Sequence, residues 1–219
     1  PDREIFFQRR SYGMKNLPGV LDLHGGYVAA GSTYDEMAAQ EAEQELPFAV
    51  KPGELSDASG KFFRYYDSRS RQLRHLYLLR LDPEQVRAIH RKNAELKVFF
   101  QGVYETVAKS QQCSIEQLLT RVAMEPALAE QIKNEVVRRI GIENLDHYEV
   151  AEYVSMPWDR AVAIASDPKQ KIFANGFSGF FNPAHNQAPE ASSYTAIVQA
   201  AVEKLLASQG KENAQPRSE

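Results

Sequence analysis

The sequence has a single cysteine and no long apolar run. Among its 219 residues the one cysteine is Cys113, so an internal disulfide is excluded, and no Cys or His stands beside it at the spacing of a metal motif. A free thiol predicts a reducing intracellular compartment, either cytoplasm or an organelle matrix. No apolar run approaches the roughly 18 residues of a membrane span, so no membrane partner is expected. The first residue is Pro1, which leaves open whether a targeting segment has been removed.

An excess of charge of one sign is also missing. The formal net charge is −3 and the sequence pI is about 6.0, so the chain has no global basic field of the kind that binds nucleic acid nonspecifically. RNA contact is indicated only by a local cluster, Arg87, His90, Arg91 and Lys92, and such clusters are more often a solvated helix face. With 43% hydrophobic residues the chain has enough apolar side chains for a globular core.

What the chain does have is a glycine loop followed by an acidic helix. Gly25-Gly26 and Gly31 stand where a backbone bends or lies close to another group. Ser32 or Thr33 then supplies an N-cap oxygen for a helix that Pro47 ends.

Two carboxylates in this helix are four residues apart. Glu41 and Glu45 therefore lie one turn apart on the same face, where their repulsion costs a few tenths of a kcal/mol unless a cation lies between them. Carboxylate oxygens are ligands that divalent cations prefer. The spacing predicts a metal site.

The loop and helix together resemble the Nudix box, the loop-helix-loop of enzymes that hydrolyse nucleoside diphosphates linked to another moiety. The resemblance rests on Gly-Gly, four residues, Gly, and then Ala-Ala-x-Glu-x-x-x-Glu at 38–45. The preceding Pro18-Gly19-x-x-Asp22 is similar to the entry of the isopentenyl-diphosphate-isomerase-like branch. The resemblance to the Nudix family implies an α+β or α/β fold, namely an α/β/α sandwich with a mixed sheet. It also implies that further N-terminal strands are missing from this chain or are supplied by something else.

Four positions depart from the family box. Ser32 stands where the family has Glu, and Gln40 where it has Arg; in the family those two side chains form an ion pair that orients the metal-binding helix. Gln44 replaces another acid, and Pro47 replaces Gly. The resemblance therefore implies a weakened box, because a misoriented ligand set loses about 10- to 100-fold in affinity or rate.

The resemblance also implies a ligand set. Mg²⁺ or Mn²⁺ would be held by Glu41 and Glu45 with a carbonyl from Gly25 or Gly26. Glu152 in a later strand matches the position of an extra metal ligand or base, which makes it the third candidate catalytic residue. Glu149 is the second choice for this role, and either side chain is equally well explained as facing solvent.

Candidate substrate contacts lie before the box and in a later strand. Arg9, Arg10 and Lys15 are placed to meet phosphate oxygens, although charged ends of strands are commonly just solvated. Tyr65 is a candidate to stack on a base or sugar, whereas core packing is the more usual role of a strand tyrosine.

The remaining patterns give the domain organisation. Residues 4–10, 62–67, 74–81 and 148–156 read as strands, as do shorter runs at 20–23, 27–28 and 48–50. Helical periodicity and caps predict three helices within 83–145, starting after Asp82, at Ser114 and at Pro126. We therefore expect a Nudix-like domain at 1–82 and 146–189, a helical insertion at 83–145, a C-terminal helix at 190–207 and a polar tail at 208–219.

Two functions follow as expectations. One is metal-dependent, attenuated hydrolysis of a nucleoside-diphosphate-linked small molecule. The alternative is a catalytically silent Nudix-like protein that binds a nucleotide or RNA or serves as a structural subunit. A protein partner or a second copy would then dock on 83–145 or on an N-terminal sheet edge.

Overall fold

The structure is a computed structural model that describes residues 4–25, 28–51, 55, 63–67, 72–77, 79, 81–167 and 172, with backbone only for 63–67, 72–76 and 146. The strands are β1 (Glu4–Arg10), β2 (Leu21–Asp22), β3 (Phe63–Asp67), β4 (Gln72–Leu76) and β5 (Val150–Pro157). The helices are α1 (Tyr34–Glu45), α2 (Pro83–Ser110), α3 (Ile115–Val122), α4 (Pro126–Ile140), a 3-10 helix (Ile142–Tyr148) and α5 (Trp158–Ser166). The predicted C-terminal helix and tail, at 190–219, lie outside the described residues.

The strand β1 lies in the middle of a three-stranded sheet of order β2-β1-β5. Both of its pairings are antiparallel, so the α+β class is confirmed, while the mixed sheet is not found among the described strands. Opposite Gln8 lies Tyr153, and opposite Arg9 lies Glu152. At Gln8 and Arg9 the strand β1 has a pairing strand on each side. The expectation that an N-terminal sheet edge forms an interface stays a prediction.

The strands β3 and β4 form a second, two-stranded antiparallel sheet. The predicted hairpin is thus confirmed, although β4 ends at Leu76 and not at Leu81. The strand predicted at 48–50 is wrong, because these residues have no regular secondary structure. Val50 is buried there against Ala39 and Ala42 of α1, so its apolar character reflects burial and not strand pairing.

Local sequence signals set the bounds of the three helices between residues 83 and 140, as predicted. Asp82 accepts hydrogen bonds from the first turn of α2, with Pro83 as the first helical residue, and Ser114 forms a capping box with Gln117 at the start of α3. α4 begins at Pro126 and ends before Gly141, whose φ is 82°. Glycine adopts this left-handed backbone without steric cost.

One apolar cluster joins the helices 83–140 to the sheet. Its buried members come from α2, α3 and α4 and from the first half of β5: Ile89, Leu96, Phe100, Val103, Tyr104, Val107, Ala108, Leu118, Val122, Leu128, Ala129, Ile132, Val136, Val150, Ala151 and Tyr153. The helical segment is therefore part of the main core. Within the described portion of the chain, no helix has an apolar stretch of the length that crosses a membrane.

Candidate functional site

The acidic helix α1 starts and ends where the sequence predicts. Thr33 is the N-cap: its hydroxyl accepts from the Glu36 N–H, and the Glu36 carboxylate accepts from the Thr33 N–H. This reciprocal capping box satisfies two N–H groups at the helix start. At the other end the Leu46 N–H donates to the Ala42 carbonyl, and Pro47 follows. The helix therefore presents Glu45 as its last residue.

The carboxylate of Glu45 is buried and held by donors from two other segments. Gln8 Nε2 in β1 donates to Oε1 at 3.1 Å, and the Gly25 N–H of the glycine loop donates to Oε2 at 2.8 Å. His24 Nδ1 lies 3.5 Å from the same Oε2. A buried charge without partners is costly, so these contacts make Glu45 the point where helix, central strand and loop are tied together.

Tyr153 closes the cluster from β5. Its phenol donates a hydrogen bond to the Glu45 backbone carbonyl, and its ring lies 5.8 Å from the His24 ring, centroid to centroid. Burial, and secondarily the charge of Glu45, raise the pKa of Tyr153 above its ordinary value. The phenol is therefore a neutral donor at physiological pH.

Glu41 lies one turn before Glu45 on the same side of α1, as the spacing predicts. It is half-buried, whereas Glu45 is 8% exposed. Glu41 is thus the more accessible of the two carboxylates.

Glu152 lies on the other side of the sheet. Its carboxylate accepts from Arg9 Nε at 2.8 Å and is about half exposed. Neighbouring residues of a strand point to opposite faces, and Tyr153, the next residue, is the one that reaches Glu45. The strand therefore places Glu152 on the face opposite to that of Tyr153, and its role as a third ligand stays a prediction.

The predicted phosphate-binding cations have different surroundings. Arg9, besides pairing with Glu152, donates to the Gly19 carbonyl at 3.1 Å. Arg10 contacts Asp22 at 3.6 Å. Both arginines thus fasten the loop that follows β1, while Lys15 is exposed in that loop.

The structure gives no side-chain position for Tyr65 and no position for Gly26, the two remaining predicted site residues. The backbone of Tyr65 pairs opposite Arg74 in the hairpin, but its side chain lies outside the description. Gly26 lies outside the described residues altogether. Their roles stay predictions.

Several buried polar atoms beside Glu45 lack a hydrogen-bond partner within the described residues. They are Oε1 of Gln8 and both ring nitrogens of His24. In the same part of the chain, no group of three or more His, Cys, Asp or Glu side chains is arranged to hold a metal ion. The two box carboxylates therefore fit a divalent cation only with further ligands of another kind, such as a backbone carbonyl, an amide or water.

No family model, curated protein or solved structure matches the chain.

Gln8, His24 and Tyr153 belong to the site and were not among the candidates from sequence. Gln8 is 3% exposed in the fold, and a buried polar side chain normally has a specific partner. The sequence of β1, Glu-Ile-Phe-Phe-Gln-Arg-Arg, does not set Gln8 apart from the polar residues around it. His24 directly precedes the two glycines of the loop. All three residues contact Glu45. Because Glu45 is distant from each of them along the chain, no local sequence pattern predicts these contacts.

Proposed function

We propose that the chain is a Nudix-type, metal-dependent hydrolase of a nucleoside-diphosphate-linked substrate, with attenuated turnover. The observation that carries this proposal is the fixed position of Glu45, buried against the glycine loop by the Gly25 N–H. This contact lies at the C-terminal end of α1, where the helix dipole is negative, so a diphosphate would approach Glu45 only with a divalent cation between them.

Within this site Glu41 and Glu45 have different tasks. Each carboxylate oxygen has two lone pairs, so Glu45 can accept from Gln8 and Gly25 and still offer a lone pair to a cation. Glu41, being more accessible, would supply the second carboxylate, and the Gly25 carbonyl is a further ligand candidate. A bound Mg²⁺ or Mn²⁺ supplies neutralisation of the diphosphate and a water of lowered pKa.

The attenuation follows from the missing acids and the missing ion pair. Ser32 and Gln40 cannot form the pair that the family uses to orient the helix, and Gln44 adds no charge. In this chain the Gln8 and Gly25 hydrogen bonds to Glu45 orient the helix end in place of that pair. Fewer carboxylates hold the ion less tightly, so we expect slow turnover and a metal requirement in the millimolar range.

The test is phosphate or monophosphate release from a panel of nucleoside-diphosphate derivatives, with Mg²⁺ or Mn²⁺ and with chelator. We expect metal-dependent release, and a loss of about 100-fold or more in Glu41→Gln because the negative charge of a direct ligand is removed. Glu43→Gln is the matched control, since Glu43 is an exposed carboxylate of the same helix.

The variant Glu45→Gln tests whether Glu45 has a structural role in addition to its metal-binding role. It should reduce release and also lower the free energy of unfolding by about 1–3 kcal/mol, because the amide group places a second donor against Gln8 or Gly25. The control Glu43→Gln, at an exposed carboxylate of the same helix, should leave the free energy of unfolding nearly unchanged. Equal turnover in wild type, Glu41→Gln and Glu43→Gln would count against the proposal.

A second candidate is a silent Nudix-like protein that binds a nucleotide or RNA or acts as a structural subunit. It is favoured by the contacts of two of the candidate acids. Glu45 is hydrogen-bonded inside the protein, and Glu152 is paired with Arg9. Nucleotide binding by calorimetry without any metal-dependent release would support this candidate over hydrolysis.

A further inference from the structure

We propose that Gln8, His24 and Glu45 form a binding site for a transition-metal dication of the Mn²⁺, Co²⁺ or Zn²⁺ class, with Mg²⁺ bound more weakly. The site shares Glu45 with the proposed diphosphate site but does not require turnover. Three kinds of observation carry it: an orphaned buried amide oxygen, an orphaned imidazole, and the spacing between imidazole and carboxylate.

The amide of Gln8 has a defined orientation. Its Nε2 donates to the Leu23 carbonyl at 3.0 Å and to Glu45 Oε1 at 3.1 Å. Both partners are acceptors, so the amide nitrogen must face them, and the oxygen cannot be exchanged with it by a flip. Gln8 is 3% exposed, and its Oε1 has no hydrogen-bond partner among the residues described. A buried oxygen of this kind costs about 1–3 kcal/mol unless an unseen donor or cation satisfies it.

The imidazole of His24 is the second orphan. Its side chain is 19% exposed, and neither ring nitrogen forms a hydrogen bond within the described part of the chain. A neutral imidazole has one nitrogen that needs an acceptor and one that needs a donor or a metal. His24 therefore has a nitrogen lone pair that no described protein group uses.

The distance between His24 and Glu45 fits shared coordination. Nδ1 and Oε2 are 3.5 Å apart, which is long for a hydrogen bond. Two ligands that each lie about 2.1 Å from one ion are themselves roughly 3.0–3.4 Å apart in octahedral or tetrahedral geometry. A small adjustment of the His24 ring would bring both atoms to an ion. The Gly25 N–H bond to Oε2 holds the carboxylate in place meanwhile.

The chemistry of these donors decides the class of metal. Mg²⁺ prefers oxygen ligands and retains its waters, whereas an imidazole nitrogen with carboxylate and amide oxygens suits Mn²⁺, Co²⁺ and Zn²⁺ better. Three protein ligands leave open coordination positions for water or a phosphate oxygen. The proposed site is therefore one in which solvent or a substrate completes the coordination of the ion.

The experiment is a titration of the metal-free full chain with CoCl₂, followed by visible absorption and by NMR of the histidine ring protons. We expect one bound ion, perturbed ring signals of His24, and unchanged signals of the exposed His147. His24→Ala and Gln8→Ala should each weaken binding by about 10-fold or more, and His147→Ala should bind as wild type. MgCl₂ should compete at least about 10-fold less well than MnCl₂.

Folding is controlled by measuring thermal unfolding of each variant without metal, and His24→Asn serves as a second variant that keeps a polar group. Equal Co²⁺ binding in wild type and His24→Ala, or ring signals that do not respond in wild type, would overturn the site. Binding that Glu41→Gln abolishes but His24→Ala retains would also overturn it. Co²⁺ bound through His24 by a protein that hydrolyses nothing would support the site and count only against the proposed hydrolase.

Discussion

Glu45 joins three segments that are far apart in the chain. One carboxylate and one carbonyl of this residue contact Gln8 of β1, Gly25 of the loop and Tyr153 of β5. Each partner donates a hydrogen bond to an oxygen of Glu45. The two bonds to the carboxylate, from Gln8 and Gly25, are charge-assisted and therefore stronger than neutral ones. The position of the box helix is therefore set at its last residue, and Glu41 is carried into place one turn earlier.

A second buried carboxylate, Glu135, makes stability depend on pH. Hydrogen bonds from Arg138, and less strongly from Arg139, lower its pKa from an ordinary 4.5 to about 2 against the opposing effect of burial. A group with a depressed folded-state pKa stabilises the fold above its unfolded pKa, and this contribution is lost as the pH falls. We expect the loss between about pH 4.5 and 2.

The measurement is the denaturant midpoint of wild type and Glu135→Gln from pH 2 to pH 6. Wild type should be the more stable above pH 4.5, and the difference should shrink steadily toward pH 2. Glu130→Gln is the control, since Glu130 is an exposed acid of the same helix. A difference between wild type and Glu135→Gln that is the same at every pH would contradict the assignment.

At the scale of the elements, α2 covers the open edge of β5. The side chain of Asn93 donates to the Tyr153 carbonyl at 2.7 Å and accepts from the Tyr153 N–H at 2.7 Å. It thus pairs with the strand edge as another strand would. This contact closes the sheet beside the residue that contacts Glu45.

Asn93→Ala should leave two backbone groups of Tyr153 without these partners. We expect a loss of about 1–3 kcal/mol in the free energy of unfolding, and faster hydrogen exchange at the Tyr153 amide than at the Val154 amide. Exchange at Tyr153 that stays as slow as in wild type would show that the edge is protected by something else. Asn134→Ala, at an exposed asparagine of α4, is the comparison variant.

The elements also show what sequence can and cannot predict. Thr33, Asp82 and Ser114 each act on residues two or three positions away, so the starts of α1, α2 and α3 follow from local chemistry. The Gln8–Glu45 contact joins residues 37 apart, and no local pattern encodes it. The side on which Glu152 lies depends on strand register, where a shift of one residue reverses the face. The helix bounds and the two box carboxylates were therefore predictable, and the distant partners of Glu45 in β1 and β5 were not.

On the scale of the whole molecule, helices and sheet share one core. Val150, Ala151 and Tyr153 of β5 are buried in the same cluster as apolar residues of α2, α3 and α4. The predicted helical insertion at 83–145 has no separate core within the described residues, so we expect it to unfold together with the sheet.

Two probes test this cooperativity. Far-UV circular dichroism reports mainly the helices, and fluorescence of the single Trp158 reports α5, which packs against β5 and β1. The two denaturation curves should coincide in midpoint and slope. A fluorescence midpoint clearly separated from the helical one would contradict a shared core and would favour an independent helical unit.

The claim that the box carboxylates hold a divalent cation against a diphosphate is tested most directly by diffraction at the manganese absorption edge. The crystals would contain the full chain with MnCl₂ and a non-hydrolysable nucleoside-diphosphate analogue. We predict an anomalous peak within bonding distance of both the Glu41 and Glu45 carboxylates and of a diphosphate oxygen. A bound analogue with no manganese at either carboxylate would contradict the account.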